Sequence, residues 1–268
     1  MLMYQVDAFA DRVFAGNPAA VLVLDQWLAD DLMLNIAEEN NLAETAFVCR
    51  SKTSDEWELR WFTPVHEVDF CGHATLAAAH VLVRHFGETG PLQFNTRAGT
   101  LYVSVDGDGY ELNLPRFEPE PLAALPKEIG GLFGAEPKSI FRNFENIFVQ
   151  LEHEAAVRGF VPDAARIATL FPLGLAITAR GEEFDFVSRY FAPGAGIPED
   201  PVTGSIHATL VPYWAKQLGR TDLSAYQASR RGGYLRCRQE RDRVLIRGSA
   251  VTFMEADINL QTRGIDNR

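Results

Sequence analysis

Cysteine is scarce in this chain. Cys49, Cys71 and Cys237 are the only three in 268 residues, and they form neither a paired framework nor a metal-ligand spacing. They read as reduced thiols, and a cytoplasmic location is expected. Long apolar runs are lacking too: none approaches the roughly 18 residues that span a membrane. Basic excess is absent, since 36 acidic against 25 basic residues leave a formal charge of −11. That balance excludes a general nucleic-acid or anionic-membrane binder. Met1–Asp7 shows neither a basic start nor a long apolar core, so no signal peptide is expected there. His66, His80, His85 and His207 show no ligand spacing, and no metal is expected.

One stretch departs from the acidic average. Arg230, Arg231, Arg236, Arg238, Arg241, Arg243 and Arg247 crowd together. Arg236 and Arg238 alternate with Leu235 and Cys237, the period of a half-buried strand. Gln239–Asp242 reads as a turn and Val244–Ile246 as the returning strand. Stacking aromatics are nearly absent there, so a solvated sheet face is expected rather than a nucleic-acid patch.

What the chain does have is a repeat. Arg60-Trp61-Phe62-Thr63-Pro64 leads to Glu67 and then Cys71-Gly72-His73. Arg189-Tyr190-Phe191-Ala192-Pro193, 129 positions later, leads to Glu199 and then Thr203-Gly204-Ser205. In each copy the glutamate stands five residues before the glycine, an apolar run follows, and Gly87 or Gly219 ends it fifteen residues on. Each copy reads as strand, glycine turn, buried helix.

The first copy is preceded by strands near Tyr4–Phe9 and Ala19–Leu24, a turn at Phe14–Pro18, and a helix from Asp30 or Asp31 to about Asn40. That helix is expected to turn Leu32 and Ile36 inward, with Met33 as a further candidate. Strands follow at Thr45–Cys49 and Trp57–Phe62. The run Ala74–Val83 is apolar on every side and must be buried all round. Leu92–Asn95, Leu101–Val105 and Tyr110–Leu114 complete the set, with Asp106–Gly109 as the last turn.

Pro115, Pro119, Pro121 and Pro126 leave no room for strand or helix, which places a boundary there. The second half repeats the programme with strands near Asn146–Leu151 and Leu175–Thr178, a helix near Ala164–Leu170, and a final helix that Pro212 should kink. The expected class is α+β: two pseudo-symmetric domains, 1–115 and 116–268, each a mostly antiparallel curved sheet wrapped around a buried helix. A return of the C-terminal segment to the first half stays open. Turns between consecutive strands look too short for parallel crossovers.

Helix N-termini leave N–H groups unpaired and carry partial positive charge, so they suit carboxylates. Gly72-His73 and Gly204-Ser205 each supply one, with glycine allowing close approach. Glu44 precedes the apolar strand Thr45–Val48. A carboxylate at such an entrance loses solvation, which suits proton exchange near neutrality. A surface glutamate capping a turn is the other reading. Asp200, between Glu199 and Pro201, has turn capping as its default reading, and His73 could equally be a satisfied core histidine.

Asp7-Ala8-Phe9, Gly16-Asn17-Pro18-Ala19, Glu44-Thr45-Ala46-Phe47, Cys71-Gly72-His73-Ala74-Thr75 and Glu199–Ser205, in that order, resemble the PhzF family of phenazine-biosynthesis-like isomerases. Gly248–Val251 looks like that family's closing strand, so the resemblance covers essentially the whole chain. It implies the diaminopimelate-epimerase-like fold, a site at a domain interface and a homodimer. It further implies cofactor-free proton-shift chemistry on a small, cyclic carboxylate. Glu44 would be the acid/base, supported by His73, Asp200 and Ser205, with Gly72 and Gly204 holding the substrate carboxylate. Epimerases and racemases of this fold use two thiols, one before each glycine. Cys71 holds the first such position and Thr203 the second, which speaks against that alternative. A metabolite-binding protein without turnover is the non-enzyme alternative.

Overall fold

The two glycine-led apolar runs become the two longest helices, and a single sheet is laid around them. The computed structural model describes residues 1–51, 56–107 and 109–260. In the first half, β1 (Leu2–Ala8), β2 (Asn17–Leu24), α1 (Asp30–Asn40), β3 (Glu44–Arg50), β4 (Trp57–Phe62) and β5 (Glu67–Val68) lead to α2 (Gly72–Phe86). The strands β6 (Leu92–Thr96), β7 (Gly99–Asp106) and β8 (Gly109–Pro115) follow. Helix α2 has no polar face, and it is seated against β1, β2, β3, β8 and β17, the last strand of the chain (Arg243–Asp257). The run from Gly72 to Leu82 is buried without interruption, as an all-apolar helix requires. Helix α1 buries Met33, Ile36 and Ala37; Leu32, expected inward, is only half-buried.

The second half repeats this order. After β9 (Glu120–Pro121) come β10 (Ser139–Arg142), β11 (Asn146–Gln150), α3 (Glu154–Arg158), α4 (Ala164–Ala168), β12 (Gly174–Arg180), β13 (Phe186–Ala192) and β14 (Ile197–Asp200). Then α5 (His207–Leu218), β15 (Asp222–Gln227) and β16 (Gly233–Glu240) precede β17. Among the described residues, all 17 strands join one hydrogen-bonded sheet. It is mostly antiparallel, as expected, but four pairings are parallel: β2–β3, β4–β6, β11–β12 and β13–β15. Each parallel pair is bridged by helix: α1, α2, α3 with α4, and α5. Those connections are long enough for a crossover, which corrects the expectation drawn from the short turns.

The register shows how closely the halves correspond. The repeat places Tyr190 where Trp61 stands, and both sit in the same ladder position: Trp61 opposite Val68, Tyr190 opposite Asp200. Following the ladders outward, Leu112 of β8 corresponds to Ile246 of β17, and these two residues face each other where β8 pairs with β17. A pseudo-two-fold axis therefore passes through that pair. It also passes between Gly72 and Gly204, because a Cβ built on either would lie 3.5 Å from the Cα of the other.

The proline-rich stretch is not a bare linker. Pro115 ends β8, and Pro121 lies in the two-residue β9, which pairs with β10. Proline is tolerated at such ends and edges, which is why strand persists where its density argued against it. Arg116 N–H donates to Asp242 O, and Phe117 N–H donates to Ala208 O at 3.0 Å. Ala208 is four residues before Pro212, so Phe117 takes the carbonyl that Pro212 leaves without its helical partner. Helix α5 runs on as one element through Pro212. The C-terminal segment does return: residues 250–257 of β17 pair with β1.

The arginine-rich stretch forms the β16–β17 hairpin, with Leu235 and Cys237 buried and Arg236 and Arg238 exposed. Its arginines serve the fold. Arg231 bonds Asp7 and the carbonyls of Ala15 and Gly16, and Arg243 bonds Asn113. In the Asp106–Gly109 turn, Asp108 lies outside the described residues.

Candidate active site

The site forms where the N-terminus of α2 meets the turn into α5. Glu44 opens β3, in register with Ala19 of β2, and its side chain is buried. His73 is the second residue of α2, and its Nε2 lies 3.1 Å from Glu44 Oε2. The ring N–H is not aimed along that line, so this is a charge contact rather than an aligned hydrogen bond. Asp200 ends β14 and is buried as well. Gly72 and Gly204 touch at the axis, while Ser205 is half-buried in the tight turn preceding α5. The six residues singled out in the sequence thus converge on one place.

Three further residues, which the sequence did not single out as a group, hold them there. Asn17, the first residue of β2, sends its amide N–H₂ to Asp200 Oδ1 (2.7 Å) and to Val202 O (2.9 Å), and lies 3.1 Å from His73 Nδ1. Two acceptors that need donors fix which end of the amide is nitrogen. Thr203 donates its hydroxyl to Asp200 Oδ2 at 2.5 Å. Gln227, wholly buried, donates to Asp200 O and Thr203 Oγ1 and accepts from Thr203 N–H. In the sequence Asn17 read as part of a turn, and Gln227 carried no signal at all. Burial of an amide between apolar neighbours is visible only once the sheet closes.

The electrostatics follow from this burial. Burial lowers the pKa of His73, but its neighbours Cys71 and Glu44 together outweigh that and raise it above the usual imidazole range. The Cys71 thiol is pushed up to about 11, by burial first and by Glu44 second. It is therefore neutral near pH 7, and Glu44 is the charge that favours the imidazolium at that pH. Asp200 is raised to about 6, chiefly by burial; His73 lowers it, Glu44 raises it, and the Thr203 and Asn17 hydrogen bonds lower it. Asn17 Oδ1, Glu44 Oε2 and His73 Nε2 are buried without a hydrogen-bond partner. Orphaned polar atoms at the junction of two helix entries are what a polar ligand would satisfy.

Glu44, Cys71 and His73 each offer a donor atom within 4.8 Å of the others. The imidazole stands between the other two, with Cys71 Sγ 3.5 Å from Nδ1 and Glu44 at Nε2. That is a bridge rather than a cage converging on one cation. Cys71 also precedes α2 as its N-cap, a position serine fills well. Cys71→Ser should keep turnover within a few-fold, because Thr203, in the matching position, is bound to Asp200 and completes no thiol pair. A several-hundredfold loss with folding unchanged would make Cys71 an acid or base.

Known proteins share this architecture along nearly its whole length. The profile of the phenazine biosynthesis-like protein family (PhzC-PhzF) matches residues 6–256. The chain belongs to this family. An uncharacterized isomerase of Pseudomonas aeruginosa is 48% identical over 96% of this chain and 98% of its own length. A PhzF-family crystal structure from Enterococcus faecalis superposes with a TM-score of 0.92 at 44% identity, covering 97% of this chain and 99% of that one. A probable proline racemase from Agrobacterium radiobacter, at 8% identity and a TM-score of 0.65, shares the fold alone. With curated relatives of this similarity named isomerases, the chain is an enzyme of the isomerase class. Among the described residues, no helix is long and apolar enough to cross a membrane.

Proposed function

We propose that this PhzF-family isomerase moves a proton on a small, cyclic, carboxylate-bearing metabolite without a cofactor. The observation that carries the reading is a buried carboxylate, Glu44, set beside His73 where the two glycine turns meet. Glu44 takes a proton from substrate carbon and returns it elsewhere on the ring. His73, whose cation Glu44 favours, stands against that carboxylate and steadies its charge as the proton comes and goes. Asp200, raised to about 6, is the neighbouring group that changes charge near neutrality and assists the transfer. Backbone N–H groups at Gly72 and Gly204, with Ser205, hold the substrate carboxylate. Residues 1–115 and 116–268 act as two domains around this site, the second lending its last strand to the first. A two-thiol epimerase fits less well, because Cys71 is a neutral thiol and Thr203 is committed to Asp200.

Protein treated exhaustively with chelator is incubated in D₂O with a panel of cyclic carboxylic acids. Isomerisation should persist, with solvent deuterium entering the product. Turnover that returns only on adding a metal ion or a dinucleotide would overturn the cofactor-free assignment.

A further inference from the structure

The pseudo-two-fold axis carries Glu44 onto a glycine. Phe62 corresponds to Phe191 in the repeat; Thr45 pairs with Phe62 and Leu175 with Phe191, so Glu44 corresponds to Gly174. The space that a side chain at Gly174 would need is already filled. A Cβ there would fall 2.1 Å from the Tyr190 hydroxyl oxygen and 2.7 Å from Asn146 Oδ1. Tyr190 stands directly opposite Asp200 in the β13–β14 ladder, so their side chains leave the same face as near neighbours. The ring is half-buried, and burial, then Asp200, raises its pKa above the ordinary phenol value. Asn146 Oδ1 is buried with no hydrogen-bond partner. Across the axis from the proton-carrying carboxylate, then, the second half presents a phenol and an amide oxygen.

The geometry points to Tyr190 and Asn146 as the wall of the site opposite Glu44, where they recognise a hydroxyl or amino substituent on the substrate ring. This rests on the carboxylate reading above. A phenol both donates and accepts, and a buried amide oxygen without a donor favours a ligand that brings one. An apolar ring edge there would leave that oxygen unsatisfied. The pair therefore selects polar-substituted rings over bare ones, while Gly72 and Gly204 hold the carboxylate common to both.

Calorimetry with benzoate and the three monohydroxybenzoates as probes, on the natural protein and on Tyr190→Phe, tests this. The natural protein should bind its preferred hydroxybenzoate about tenfold tighter than benzoate, the worth of one well-made buried hydrogen bond. Tyr190→Phe should erase most of that preference and leave benzoate affinity and the melting temperature nearly unchanged. A merely structural tyrosine would instead lower the melting temperature and weaken all four ligands together. That outcome, or an undiminished preference in Tyr190→Phe, overturns the assignment. Failure of all four to bind the natural protein would sink the carboxylate reading first, and this one with it.

Discussion

Glu44→Gln should lower kcat by roughly 10² to 10⁴-fold, the range for losing a positioned general acid/base. Glutamine keeps the shape and hydrogen-bonding reach of the side chain but cannot carry the proton. Ligand affinity should change much less, since the backbone at Gly72 and Gly204 is untouched. His73 in the variant loses the carboxylate 3.1 Å from its Nε2. Its pKa should therefore fall, which NMR titration of the ring reads independently of turnover. Solvent deuterium should enter product with the natural protein and not with the variant. The measurement pairs steady-state rates with calorimetric binding. A variant that binds weakly yet turns over normally would make Glu44 a binding residue, and the proton-shift mechanism would fail.

The frame of this site was legible because it is built from local pattern, while the roles of Glu44, His73, Asp200 and Ser205 were implied by the resemblance to the PhzF family. The glycine turns, the all-apolar helix and the strands around Glu44 announce themselves through spacing and composition, and Trp57–Phe62 was read with the bounds it has in the structure. Pairings between distant segments were not legible. The resemblance marks Gly248–Val251 as a closing strand and leaves its return to the first half open, but its pairing with β1 is set by register across the whole chain and not by any local pattern. Helix α3 escaped for a different reason: its five residues are too few for a helical period to show. Helix α4, equally short, lies in the longer patterned stretch Ala164–Leu170 that was read as helix. Asp200 read as a turn residue because β14 is four residues long, and its partner strand lies beyond a bulge. Asn17, Gln227 and Tyr190 are single polar residues whose meaning depends on what closes over them. The repeat was therefore visible, but the asymmetry within it was not. Glu44 against Gly174 and Asp200 against Val68 are substitutions inside a common frame, and they give the two sides of the site different chemistry.

That frame is itself held by a repeated clamp, and breaking its two copies should have unequal effects. Arg60 grips Glu67 through Nε and Nη2, both at 2.8 Å, and Arg189 grips Glu199 in the same bidentate fashion at 2.7 and 3.0 Å. The surroundings differ. Glu67 also receives Arg97 at 2.8 Å, so it keeps a cation when Arg60 is removed. Arg189 is the more buried of the two arginines, and its Nη1 additionally serves the carbonyls of Val157, Arg158 and Phe160. Arg189→Met would leave both the Glu199 carboxylate and those carbonyls without their donor. Removing one partner of a largely buried pair costs about 3 to 5 kcal/mol, whereas Arg60→Met should cost about 1 to 2 kcal/mol. Urea unfolding with an unchanged m-value would read the difference as a shift in midpoint. Equal losses from the two variants would refute the argument from surroundings. Glu199 is the residue before Asp200, so the Arg189 clamp also fixes the strand that delivers Asp200 to the site. Arg189→Met that remains folded at low temperature should accordingly lose activity beyond its loss of stability, and Arg60→Met should not.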